Sequence, residues 1–191
     1  MIAREVEPAD LDYALELVMT SAMAREQGLQ EPLVRCLMKA GAVASPHAID
    51  MTLGHWELEP VRLLLANGQP MTAPIAAAFG ALDKLPALLA AATVDEVQRA
   101  LGLAVINRQT EAARLALDAG ADPNGFLPVH THSLPLHQAA LDENLPLMEL
   151  LVTRGARTDV PDRLWGSTPL GWAIHQNKTR AREWLEGLRR T

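Results

Sequence analysis

Apolar stretches along the chain end repeatedly in glycine. LMKAGA (37–42), LLANGQ (64–69), ALDAGAD (116–122) and LVTRGAR (151–157) are variants of one pattern, with the glycines at 41, 68, 120 and 155. Each stretch predicts a helix with one apolar side, such as Leu147, Leu150 and Leu151 in LPLMELLVTR. The glycine behind it predicts a left-handed cap, because a residue without Cβ takes that conformation at no steric cost. The gap of 52 residues between Gly68 and Gly120 divides into two units of about 26. The hidden boundary falls near AAATVDE (90–96), where Thr93 and Glu96 have capping-box spacing.

A second helix precedes each of these runs. SLPLHQAALDENLPLMELLVTRGA (133–156) shows the unit most clearly: a short helix opening at Pro135, a turn at DEN, a second helix, then Gly155. Proline is tolerated in a first helical turn, where its missing N–H costs nothing. STPLGWAIHQNKTRAREWLEGL (167–188) restarts the pattern 34 residues on, with Pro169 in place of Pro135. MTAPIAAAFGALDKLPALL (71–89) is a tighter copy turning at Gly80, and VQRALGLAVINRQTEAARLALDAG (97–120) a looser one. LQEPLVRCLMKAG (29–41) and WELEPVRLLLANG (56–68) supply second helices of two earlier units. The expected fold is all-α, about six stacked helix pairs in one domain over 1–191.

These motifs resemble the ankyrin repeat. LPLHQAA (134–140) and TPLGWAI (168–174) are similar to its Thr-Pro-Leu-His-x-Ala core, with Leu134 in the threonine place and Gly171 in the histidine place; ALDAGADPN and LLVTRGAR resemble its ending. The resemblance is clear over 100–191 and degenerate over 1–99, and its last two units resemble ankyrin arrays of bacterial proteins. It implies a solenoid whose units are joined by β-hairpin fingers. Only 121–133 and 156–167 are long enough for full fingers, so fingers are expected in the C-terminal half alone. The resemblance further implies that His137 is structural, held by hydrogen bonds to a neighbouring loop, alongside Gly120, Gly155, Pro135 and Pro169. The function implied is a protein–protein interaction scaffold of adaptor, inhibitor or immunity type, with another protein as partner.

Composition narrows this picture. Alanine and leucine abound while aromatics make up 4%, which favours closely packed helices. The net charge of −6 argues against nucleic acid as the main ligand. The basic residues from Lys178 to Arg190 are expected at the C-terminal end of a last helix, where the macrodipole favours cations. No apolar run is long enough to span a bilayer, no signal peptide is evident, and a cytoplasmic location is expected. Arginine outnumbers lysine 14 to 3, as in proteins of GC-rich genomes. Cys36 is expected to be a small buried hydrophobe.

Candidate chemistry clusters in the second half. His130 and His132 lie two residues apart, on one side of an extended finger. They are candidates for partner contact or, as the alternative, for a metal or small molecule, although two histidines leave a site short of ligands. Phe126 in the first finger and Arg163 and Trp165 in the second complete the candidate partner-binding set. Trp165 near a loop tip either folds back on the stack or meets a partner; Trp172 and Trp184 are expected to pack. Asp142 and Glu143 are expected to be solvated turn residues. Motifs of nucleophilic, phosphate-binding or metalloprotease sites are absent, so no catalytic residue, cofactor or enzymatic role is expected.

Overall fold

Six turns of identical backbone design organise the computed structural model, which describes residues 7–188. Each turn has one residue in the left-handed region: Gly28, Trp56, Gly80, Arg108, Glu143 and Asn177, with φ between 50° and 68°. The next residue's N–H then reaches back to the carbonyl five positions earlier, on Ala24, Thr52, Ala76, Ala104, Ala139 and Ala173. This closes the C-terminus of the preceding helix, whose last carbonyls have no partner within it. Only two of the six positions are glycine. A left-handed tryptophan is uncommon, and such conformations cost on the order of 1–3 kcal/mol.

The chain divides into two compact units between Met71 and Thr72. The first holds α1 (Pro8–Thr20), α2 (Ala22–Glu26), α3 (Gln30–Lys39), α4 (Pro46–Gly54) and α5 (Leu58–Ala66). A break at Ser21 separates α1 from α2, and the buried Gln30 amide donates to the carbonyls of Val18 and Met19 beside it. Helix α1 packs on α3 and α4, and α5 packs on the same two. Leu15, Met19, Val34, Leu53 and Leu64 fill this core. Cys36 is exposed rather than buried. It lies two residues, about 200° of helical turn, from Val34 on the inward face of α3.

The second unit holds α6 (Ala73–Phe79), α7 (Leu85–Ala91), α8 (Val94–Ile106), α9 (Thr110–Asp118), α10 (Pro135–Leu141), α11 (Leu145–Thr153), α12 (Pro169–His175) and α13 (Thr179–Leu188). First helices α6, α8, α10 and α12 pack in that order, as do second helices α7, α9, α11 and α13. Small side chains permit this: Ala76, Ala77, Ala104, Ala139, Ala140 and Ala173 are completely buried. The Thr93–Glu96 capping box opens α8, and Pro135 and Pro169 open α10 and α12. Gly120 and Gly155, with φ of 98° and 92°, close second helices.

Polar side chains tie successive pairs together. Arg108 bridges to Asp142 at 2.7 Å, Asn144 donates to Thr110, and Glu143 accepts the Arg180 N–H. Asp142, expected to be solvated, therefore has a largely covered carboxylate that also accepts from Gln138. The cations of the last helix also sit elsewhere than expected. Lys178, Arg180 and Arg182 lie at the start of α13, and Arg182 pairs with Glu186 one turn on. Arg189 and Arg190 fall outside the described residues. No helix among the described residues is long and apolar enough to cross a membrane.

Candidate functional site

The two long connections, 119–134 and 154–168, carry no β-strand, and none occurs among the described residues. The expected β-hairpin fingers are therefore replaced by turn-rich loops. The reason lies in how their N–H groups are satisfied. In the first loop, Leu127 N–H reaches the Ser133 carbonyl and Ser133 N–H the His130 carbonyl, leaving a tight turn instead of a ladder. In the second, the Asp162 carboxylate takes up N–H groups that a paired strand would otherwise use.

Asp162 accepts from the N–H groups of Leu164 (2.8 Å), Trp165 (2.6 Å) and Ser167 (3.0 Å), and from Trp172 Nε1 (2.9 Å). It is 3% exposed. Burial pushes its carboxyl pKa up, but the hydrogen bonds from Trp165, Trp172, Ser167 and Leu164 together outweigh burial and bring it down to about 2. The loop is thus wrapped around a buried charge and anchored to α12 through the indole.

His137 fixes the same loop from the other side. Its ring is fully buried on α10. Nδ1 accepts the Leu134 N–H at 3.3 Å, which leaves the proton on Nε2, 3.0 Å from the Ser167 carbonyl it donates to. Desolvation lowers its pKa, against the opposing influence of the Ser167 carbonyl and of Asp162. The neutral ring therefore joins one unit's first helix to the loop of the next.

Above this foundation lies a cluster of rings. Trp172, buried at the base, has its ring centroid 5.2 Å from His137, 5.6 Å from Trp165 and 6.0 Å from His132. His132 lies 5.2 Å from Trp165 and 6.1 Å from His130. Edge-to-face contacts of this kind favour defined ring orientations. Trp165 nevertheless remains 65% exposed. It both folds onto the stack and faces solvent. Arg163 joins the two loops twice: its N–H donates to the His132 carbonyl, and its guanidinium lies 3.4 Å above the Phe126 ring centroid. Asn124 adds a third tie, accepting the Arg157 N–H and donating to the Gly155 carbonyl.

The structure thus brings Phe126, His130, His132, Arg163 and Trp165 onto two adjoining loops, with the last four residues linked through rings and backbone. His130 and His132 do not share a side of an extended strand; the turn at 128–133 sets their rings at 71° to each other instead. Among the described residues, no three His, Cys, Asp or Glu side chains group so as to hold a metal ion. Trp172 packs, as its helical spacing predicted, and Trp184 is half-buried. Asp162 was missed in the sequence. Its only signal is an aspartate two and three residues ahead of two of the N–H groups it accepts, those of Leu164 and Trp165, the habit of Asx turns.

No protein-family model matches the chain, and no curated protein matches it.

Proposed function

We propose that the chain is an ankyrin-type interaction scaffold, and that its two long loops in the C-terminal unit grip another protein. The supporting observation is Trp165: a large aromatic two-thirds exposed yet held by Asp162 through its backbone and by His132 and Trp172 through its ring. An anchor already fixed before binding loses little side-chain entropy on association, which is how preorganised contacts gain affinity. The neighbouring Arg163 and Phe126 belong to the residue types that dominate interfaces. Helix pairs stacked side by side suit an extended contact surface better than an enclosed reaction site. A binding role in the cytoplasm, with neither nucleic acid nor cofactor, agrees with the net charge and with the lack of catalytic motifs.

The test is comparative cross-linking of the wild-type chain, Trp165→Ala and Arg163→Ala in extracts of the native cell. One protein should cross-link to 124–133 and 159–167 in the wild type and weaken at least tenfold in the variants, about 1.4 kcal/mol or more. Their melting temperatures should stay near wild type, because the bonds of Trp165 to Asp162 and of Arg163 to the His132 carbonyl are made by backbone N–H groups that alanine keeps. A partner retained equally by all three chains refutes the assignment of these loops.

A further inference from the structure

Nine of the eleven arginines among the described residues pair with a carboxylate of this chain; Arg163 and Arg180 do not. On the two long loops, Arg154 pairs with Asp118 and Arg157 with Asp159. The other loop carboxylates are taken up as well: Asp122 accepts the Asn124 N–H, and Asp162 is buried under four donors. Arg163 is left as a loop guanidinium with neither an ion pair nor a side-chain hydrogen bond among the described residues.

An arginine without a partner is ordinarily a mobile, solvated side chain. This one is held. Its backbone N–H donates to the His132 carbonyl, and its guanidinium carbon lies 3.4 Å from the Phe126 ring centroid. The ring attracts the cation but accepts none of its five N–H donors, which stay in one planar fork for an acceptor from outside. The next two side chains, Leu164 and Trp165, are 60% and 65% exposed, and Asp162 fixes both of their N–H groups. Three consecutive residues thus present a cation with idle donors followed by two apolar groups, all on a backbone already in place.

Charge selects what this tip can meet. A guanidinium fork matches one carboxylate through two parallel hydrogen bonds. Phosphate groups are gathered by clusters of arginine, whereas Arg154 and Arg157 are already neutralised here. We propose that the partner protein meets the second loop with an acidic segment. One Asp or Glu carboxylate accepts from Arg163, and apolar residues beside it lie on Leu164 and Trp165. Phe126 is then a positioning residue, which aims the guanidinium. This rests on the two long loops being the binding face and adds the chemistry of what they bind.

The test is selection of a displayed library of random short peptides on the full chain, followed by fluorescence anisotropy of the enriched peptides. These should carry Asp or Glu next to large apolar residues and bind more weakly as salt rises. Replacing that acid by its amide should cost roughly tenfold on the wild type and nothing further on Arg163→Gln, which itself loses roughly tenfold. Phe126→Leu should weaken the peptide in the wild type but not in the Arg163→Gln background, a dependence that a merely structural role would not produce. Peptides bound equally by Trp165→Ala and wild type, or a selection that enriches nothing, would refute the loops as binding face and this inference with them. Peptides lost in Trp165→Ala but kept by Arg163→Gln, or enriched without acidic residues, refute the carboxylate alone. Sedimentation showing a wild-type dimer that Arg163→Gln abolishes would give the tip to a second copy and overturn the proposal too.

Discussion

Truncating His137 to alanine leaves the Leu134 N–H and the Ser167 carbonyl facing a hole, so His137→Ala should lose about 1–3 kcal/mol in urea denaturation. His130→Ala and His132→Ala remove half-buried rings whose neighbours remain in contact with one another, and each should cost under about 0.5 kcal/mol. A chelator should alter none of these values; equal losses in all three variants, reproduced by chelator in the wild type, would install a metal site instead. The pH dependence has a defined sign. Burial holds the folded-state pKa of His137 below its ordinary value, so the unfolded chain takes up its proton first, near pH 6.5. Stability is full above that pH, falls as pH drops below it, and stops falling once the folded-state pKa is passed. Denaturation midpoints in that window should slope for the wild type and flatten for His137→Gln. Burial of a neutral histidine beside a loop carbonyl was legible from LPLHQAA. The buried aspartate 25 residues further on was not, because nothing in DVPDRLWGS separates a solvated carboxylate from one that collects four donors.

At the level of the element, helix ends are where residue identity matters least evenly. Gly155 closes α11 at φ 92°, and a Cβ there meets nothing within 4 Å. Gly155→Ala should therefore cost about 1–2 kcal/mol through the backbone alone. Gly187, inside α13 with equally open space but without positive φ, supplies the contrast: Gly187→Ala should be neutral or stabilising by up to about 1 kcal/mol. Thermal melts of the two variants check the pair, and similar shifts in both would sink the conformational explanation. This difference also shows which elements were readable. Second-helix ends announce themselves as glycine at 41, 68, 120 and 155. Of the six turns between paired helices, four hold Trp56, Arg108, Glu143 and Asn177, side chains with no turn signature except the asparagine. Helix periodicity revealed the pairs all the same, since alanine and leucine stripes persist on either side. The finger prediction failed for a different reason: loop length was sufficient for strands, but Asp162 satisfies N–H groups on which strand pairing depends in the second loop, and the tight turn from His130 to Ser133 replaces a ladder in the first.

Across the whole molecule, the division at Met71 and Thr72 separates two sets of helices, each with its own core. Expressed alone, 72–191 should remain helical and melt cooperatively, since four pairs stacked on one another supply their own neighbour contacts. Circular dichroism checks this; an unfolded fragment would mean that the smaller unit is required for folding. The six left-handed turns carry a consequence for descent. Each is closed by main-chain atoms, so glycine, tryptophan, arginine, glutamate and asparagine all serve at the same place. A gene segment cut between two such turns and copied in tandem would bring a complete helix-closing joint at either seam. Its side chains would then be free to diverge while the joints continued to fit, and length could be gained or lost by whole pairs long after the letters had ceased to resemble one another.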